Sequence, residues 1–189
     1  MFLYFLVDTS GSMDGAKIQS VNDTMENVVS ELKLHSDNDS INISVLSFAR
    51  KAKWMYKQGC CIRDFKWTTL TASGMTSLGN ACKLLAKNIE KNAGNEEIKI
   101  LLISDGLPTD DFEDGIEKLN NILANLDSDR FAIALEGADI PTLTTFTGKK
   151  DNVFQLESLD DLMELMLSTL NITGQTTICT DNKIDDEWS

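Results

Sequence analysis

Phe2-Leu3-Tyr4-Phe5-Leu6-Val7-Asp8-Thr9-Ser10-Gly11-Ser12-Met13 is the stretch that decides the architecture. Its first six residues are continuously apolar, which suits a strand covered on both faces rather than one with a wet side. Asp8 ends the run, and a string of hydroxyls and glycine carries the chain away. In a parallel α/β sheet the ligand crevice lies outside the carboxyl ends of the strands. A buried strand that terminates in an acid and small polar residues is therefore a candidate site as well as a candidate element. A secretory signal would need a basic flank and a longer apolar core than Asp8 allows. The expectation is a buried strand and a cytoplasmic protein.

Outward from this stretch, short apolar runs alternate with segments of helical period. Ile18, Val21, Met25, Val28, Val29 and Leu32 recur at three- and four-residue steps, one stripe of an amphipathic helix. Ile41, Ile43, Val45 and Phe48 mark a second strand. Residues 51–57 read as an edge strand, with Ala52, Trp54 and Tyr56 on one side. Lys51, Lys53 and Lys57 lie on the other, where charge discourages pairing between sheets. Residues 58–77 show no period and are read as loop. Leu78, Cys82, Leu85 and Ile89 predict a second helix ending near Asn92-Ala93-Gly94-Asn95. A strand follows at 98–103, then a helix marked by Phe112, Ile116, Leu119, Leu123 and Leu126, with Asp110 and Asp111 as its caps. A strand at 130–135, a short helix at 141–146 and a strand at 152–156 complete the alternation. Ser158 with Asp161 predicts the opening of a last helix, with Leu159, Leu162, Met163, Met166 and Leu170 inward.

Helices between buried strands imply an α/β fold: a doubly wound, mostly parallel central sheet with one antiparallel edge strand and helices on both faces. The division expected is one domain over residues 1–172 and an acidic, flexible tail over 173–189.

Composition narrows the function. Of 189 residues, 42% are hydrophobic and 25% charged, ordinary for a globular protein. A formal net charge of −13 repels phosphate backbones, so nucleic acid is excluded as a partner class, and no membrane association is expected. Cys60, Cys61, Cys82 and Cys179 have no C-x-x-C spacing, which argues against zinc, and are read as reduced thiols. His35, the single histidine, sits at a helix end away from any nucleophile, against a Ser-His-Asp hydrolase. Trp54 and Trp67 are read as packing residues before they are read as a docking surface.

The chemistry collects at strand ends. Asp8, Ser10 and Ser12 follow the first strand, and Ser104-Asp105-Gly106 follows the 98–103 strand. Thr76, in Gly74-Met75-Thr76-Ser77, precedes the second helix. If the two strands are neighbours at the switch in strand order, Asp8 and Asp105 share one crevice with Thr76 above it. The set Asp8, Ser10, Ser12, Thr76 and Asp105 offers oxygen alone, which selects a hard cation, Mg²⁺ or Mn²⁺. Gly11 lets the chain turn so that Ser10 and Ser12 address one centre. Two carboxylates neutralise such an ion and leave room for an outside Asp or Glu.

These residues resemble the von Willebrand factor A family, whose metal-ion-dependent adhesion site reads D-x-S-x-S, then Thr, then D-G. Here those positions are Asp8, Ser10, Ser12, Thr76 and Asp105, in the family's order. Within the family, residues 2–170 resemble the small bacterial TerY-type tellurium-resistance proteins. The likeness rests on Asp8 to Met13, Val21-Asn22, Thr76-Ser77-Leu78-Gly79, Ser104-Asp105-Gly106-Leu107-Pro108-Thr109-Asp110 and Gly137-Ala138-Asp139. The final helix and acidic tail depart from that group, and no zinc-ribbon extension is present. The resemblance implies a non-enzymatic, metal-dependent protein-binding module in a stress or tellurium-resistance system, working beside a kinase or phosphatase.

Two other functions compete. A strand-end aspartate can be phosphorylated, so an Mg²⁺-dependent phosphotransfer or phosphatase enzyme using Asp8 is chemically open. Against it, Ser10 stands where haloacid-dehalogenase-type phosphatases carry a second acid, and there is no P-loop, G-x-G-x-x-G or nucleophile elbow. A structural adaptor, in which the metal only ties three loops together, uses the same residues.

Overall fold

The computed structural model of the chain describes residues 1–35, 41–155 and 168. In chain order the elements are β1 (Phe2–Asp8), α1 (Ala16–His35), β2 (Asn42–Phe48), β3 (Ala52–Cys61) and α2 (Leu78–Asn92). There follow β4 (Ile98–Ser104), α3 (Phe112–Leu123), β5 (Ser128–Ala134), α4 (Ile140–Thr147) and β6 (Val153–Gln155). The strands form one sheet in the order β3-β2-β1-β4-β5-β6. Every neighbouring pair is parallel except β2 and β3. This is the doubly wound sheet with one antiparallel edge strand, and the strand order reverses between β1 and β4.

All seven residues of β1 are buried, because alternate side chains enter two different cores. Phe2, Tyr4 and Leu6 pack with Leu85 and Ile89 of α2, Leu119 of α3 and Phe146 of α4. Leu3, Phe5 and Val7 pack on the other face against Val21, Met25, Val28 and Leu32 of α1. Burying side chains of this size is worth about 1.5–3 kcal/mol each, and β1 does so on both sides. The position of Asp8 is therefore fixed by the strand that precedes it.

The edge strand is longer than its sequence pattern indicates. β3 runs on to Cys61, so Cys60 and Cys61 of the segment read as loop are paired with Ile43 and Asn42 of β2. Alternation fails inside it. Between Met55 and Cys60 the strand takes five steps while its partner β2 takes two, from Val45 to Ile43. Tyr56 sits at φ 58°, a left-handed conformation a tyrosine rarely adopts. Tyr56 consequently leaves the side of Trp54 and meets Phe65 of the opposite core, ring centroids 5.0 Å apart. Trp54 stays with the first core, edge-on to Tyr4 at 6.4 Å. Lys51, Lys53 and Lys57 are exposed, as expected of an edge guard.

The acids before α3 divide their work. Asp111 caps α3, accepting from the Asp114 N–H at 3.1 Å. Asp110, expected to cap the same helix, instead accepts from the N–H groups of Gly79 and Asn80 at 2.9 and 2.8 Å. It caps α2 from outside, because the Ser77 side chain makes no cap bond of its own. The two helix starts lie that close because Gly79 and Gly115 face each other. A Cβ on Gly115 would fall on the backbone of Gly79, and one on Gly79 would meet the backbone of Asp111.

The predicted last helix opened by Ser158 and Asp161, Leu156, the acidic tail, Cys179, the His35 side chain and the boundary drawn at residue 172 lie outside the described residues. Among the described residues, no helix is long and apolar enough to cross a membrane.

The α2–α3 contact predicts that Gly115→Ala, which adds only a methyl, lowers stability by about 1–3 kcal/mol through forced separation of the helices. Urea unfolding of the variant should show a reduced midpoint with unchanged slope. An unchanged midpoint would contradict the close approach.

Candidate metal centre

Because β1 and β4 are adjacent and in register from Phe2↔Ile98 to Val7↔Ile103, their ends emerge side by side. Asp8 is fully buried there. One carboxylate oxygen, Oδ1, accepts the Ser10 N–H at 2.8 Å. The other, Oδ2, accepts the Ser104 hydroxyl at 2.6 Å. Ser104 Oγ in turn accepts the Gly106 N–H at 2.8 Å, so the two loops hold Asp8 through one serine. Ser10 Oγ and Ser12 Oγ lie 3.0 Å apart. That spacing matches neighbouring corners of an octahedron, about 3 Å for oxygens held at about 2.1 Å from a magnesium ion. Ser10 is buried and Ser12 exposed. The Thr9 N–H and hydroxyl both donate to the Phe48 carbonyl, at 2.8 and 3.1 Å.

Three loops are stitched together by backbone bonds. The Gly11 N–H donates to the Gly74 carbonyl at 2.8 Å, and the Ser73 N–H to the Thr9 carbonyl at 2.7 Å. The Thr76 carbonyl accepts both the N–H and the hydroxyl of Thr109, at 2.7 and 3.0 Å. The loop after β1, the loop before α2 and the loop after β4 thus converge on one edge. Thr76 and Asp105 are both buried in it. The Asp105 carbonyl receives the Asp139 N–H at 2.9 Å, and its Oδ2 lies 3.6 Å from Lys17 Nζ. That ammonium also donates to the Glu136 carbonyl at 2.8 Å.

The two acids differ electrostatically. Burial pushes the Asp8 carboxyl above the usual carboxylate range; the bonds from Ser104 and Ser10 pull it back in part, and the charge of Asp105 raises it further. Asp8 is paired with no cation among the described residues, whereas Asp105 has Lys17. The five residues singled out in the sequence all lie on these converging loops. Two others were missed as individuals. Ser104, the residue before Asp105, orients Asp8. Lys17 reaches Asp105 from the start of α1, and no local pattern marks it. The donors are carboxylates and hydroxyls. Carboxylate and hydroxyl oxygens are the donors that suit a hard cation; among the described residues no group of three or more His, Cys, Asp or Glu gathers.

A six-stranded, mostly parallel sheet of this order, with helices on both faces, is a Rossmann-like fold. The sequence model of the von Willebrand factor type A domain matches residues 3–167, and the chain belongs to that family. Domains of this family mediate protein–protein interaction and often hold a divalent metal. No curated protein matches the sequence significantly. Among solved structures, the pilus adhesin SpaC of Lactobacillus rhamnosus GG, in an open conformation, superposes with a TM-score of 0.75 at 11% identity, over 91% of this chain and 30% of that one. A von Willebrand factor type A protein of Catenulispora acidiphila gives 0.70 at 16%, over 89% and 41%. Proximal thread matrix protein 1 of the mussel byssus, with a zinc-occupied MIDAS (metal-ion-dependent adhesion site) motif, gives 0.65 at 18%, over 90% and 45%. The chain spans less than half the length of each of these three.

Since the folded-state pKa of Asp8 is raised, the folded chain holds that proton more tightly than the unfolded chain does. Its contribution to metal-free stability therefore falls as pH rises from the ordinary carboxylate range through the raised value. In chelator at pH 7, Asp8→Asn should melt at a higher temperature than the parent protein, and the gap should close on acidification. A variant that melts lower, or a gap independent of pH, would show that the burial of this charge is not destabilising.

Proposed function

We propose that this chain is a non-enzymatic binding module in which Asp8, Ser10, Ser12, Thr76 and Asp105 hold one Mg²⁺ or Mn²⁺ ion as a metal-ion-dependent adhesion site. A partner protein completes the site with an Asp or Glu oxygen. The reading is carried by one observation: a fully buried carboxylate, Asp8, with no cation paired to it among the described residues, beside two hydroxyl oxygens 3.0 Å apart on loops bonded to those bearing Thr76 and Asp105. When bound, the ion supplies a Lewis-acid centre for an anionic oxygen. The chain's own residues do the positioning. Ser104 and the Ser10 N–H fix the two oxygens of Asp8, Lys17 steadies Asp105, and the bond from Gly11 to Gly74 holds the serine loop against the threonine loop.

Burial of Asp8 with both oxygens hydrogen-bonded also favours binding over catalysis. A nucleophilic aspartate must reach its electrophile, and Asp8 lies at the floor of the crevice. The oxygen-only donor set favours magnesium or manganese over the zinc named for the mussel protein. The resemblance to TerY-type proteins supports a setting in a bacterial stress or tellurium-resistance system, in the cytoplasm, with a kinase or phosphatase as partner.

Metal binding to the folded state alone stabilises it by about 2.7 kcal/mol at a free ion concentration of 100 times Kd. Thermal melts across a Mg²⁺ titration should show this rise for the parent protein and none for Asp8→Ala. Calorimetry giving equal Mg²⁺ affinity for the two proteins would overturn the assignment.

A further inference from the structure

At the amino end of the sheet, away from Asp8, a cavity of about 270 Å³ opens between the start of β5 and the last turns of α3 and α4. Arg130 and Lys149 both line it. The Arg130 guanidinium carbon lies 5.9 Å from the centre of the Phe146 ring. Its Nη2 lies beside Gly148, where a Cβ would stand 3.3 Å away. Gly148 ends α4 at φ 73°, so the helix closes without a side chain over the guanidinium. Among the described residues, Arg130 Nη1 alone of the buried side-chain nitrogens and oxygens has no hydrogen-bond partner. Burial pulls the Arg130 pKa down, and what opposes that pull is the Cys82 thiol; no carboxylate among the described residues acts on it. Burial pushes that thiol up to about 12, so at neutral pH it supplies no charge. A half-buried cation without a counter-ion is costly to the fold, and an unsatisfied group of this kind calls for a partner.

Lys149 stands on the turn after Gly148, exposed and paired with no carboxylate among the described residues. The turn is braced. The Thr147 hydroxyl donates to the Lys149 carbonyl at 2.7 Å, and the Asn152 side chain donates to the Arg130 carbonyl at 2.9 Å. Asp129 also borders the cavity, but strand alternation sends its side chain to the face of Phe131 and Ile133, in the other core. Arg130 shares its face with Ala132 and Ala134. In a chain of formal net charge −13, the side chains turned to this cavity are net positive.

We infer that the cavity is a binding site for a phosphate group, with Arg130 and Lys149 as its two cations and Ser128 at its wall. The charge count selects phosphate over carboxylate, since a phosphate monoester carries about −1.5 to −2 at pH 7 and a carboxylate one unit. The arginine fork also holds two oxygens of one phosphate at once. The site lies at the opposite ends of the strands from Asp8, so it needs no metal and is independent of the adhesion-site reading.

The test uses the full chain in EDTA at constant ionic strength, which fixes general screening. The probes are inorganic phosphate, a phosphoserine pentapeptide, its serine counterpart and acetate. Binding is read by calorimetry and from the Arg130 Nε–Hε resonance in nitrogen–proton spectra. The parent chain should bind phosphate saturably and Asp8→Ala should bind it equally well. Arg130→Met should weaken binding about tenfold or more, and Lys149→Met about threefold or more. Arg130 packs on Phe146, so Lys149→Met, at an exposed position, keeps the test decisive if Arg130→Met folds poorly. Phosphate binding that neither variant weakens, that Asp8→Ala abolishes, or that never saturates overturns the site. Acetate binding as tight as phosphate overturns the choice of phosphate. A phosphoserine peptide that binds tighter than phosphate, with its serine counterpart silent, puts the group on a partner protein. Phosphate binding at least as tight as the peptide makes the ligand a free small molecule, and either order supports the site.

Discussion

The structure turns on a carboxylate that burial takes out of water and that, among the described residues, is met by neutral partners. Asp8 ends a strand packed on both faces, so it cannot turn outward without pulling Leu6 and Val7 from their cores. Its compensation is the Ser104 hydroxyl with the N–H and side chain of Ser10, and burial remains the dominant influence on its ionisation. Neutral donors offset part of a desolvation penalty, while a nearby cation offsets much more. Asp105, a neighbour in the same crevice, already has Lys17 at 3.6 Å. The pair is therefore asymmetric. Asp105 has a lysine ammonium nearby, and Asp8 is met by a hydroxyl and an N–H.

That asymmetry depends on topology more than on local sequence. The reversal of strand order between β1 and β4 sets their ends side by side, and the surrounding loops are joined by backbone bonds as well as by the Ser104 and Thr109 hydroxyls. Gly11 to Gly74, Ser73 to Thr9 and Thr109 to Thr76 are the backbone bonds. Backbone bonds survive changes of side chain, so the loops can vary at Met75 or Leu107 while the floor of the crevice stays in place.

The alternation of apolar runs and helical stripes was enough to read the sheet, its antiparallel edge and the helices on both faces. Periodicity reports which side of an element is buried, and here nearly every element has a clear side. The placement of Asp8, Ser10, Ser12, Thr76 and Asp105 on the loops at the strand ends was legible because each follows or precedes such an element. What escaped was set by contacts between distant segments. Tyr56 breaks the alternation of β3 because the strand takes extra residues there, and nothing in Lys53 to Lys57 announces a left-handed tyrosine. Asp110 reads as a cap of the helix that follows it, yet caps α2, because the facing glycines bring that helix start within reach. Lys17 looks like an ordinary helix lysine until the fold sets it beside Asp105. Ser104 is adjacent in sequence to a predicted site residue, but its part in holding Asp8 appears only when β1 and β4 are paired.

The overall charge adds a last constraint on recognition. A chain with a formal net charge of −13 repels acidic partners at distances up to the Debye length, about 8 Å at physiological ionic strength. A carboxylate must nevertheless approach the crevice if the adhesion-site reading holds. Long-range steering cannot bring it there, because the sign is wrong. On the adhesion-site reading the attraction would be short-range, from an ion held in the crevice. It follows that such a partner carries its acid singly, on a surface otherwise neutral or basic. On the same reading the ion would act as a gate as well as an anchor. Without its charge the approaching carboxylate meets Asp8 and Asp105 with only Lys17 to offset them.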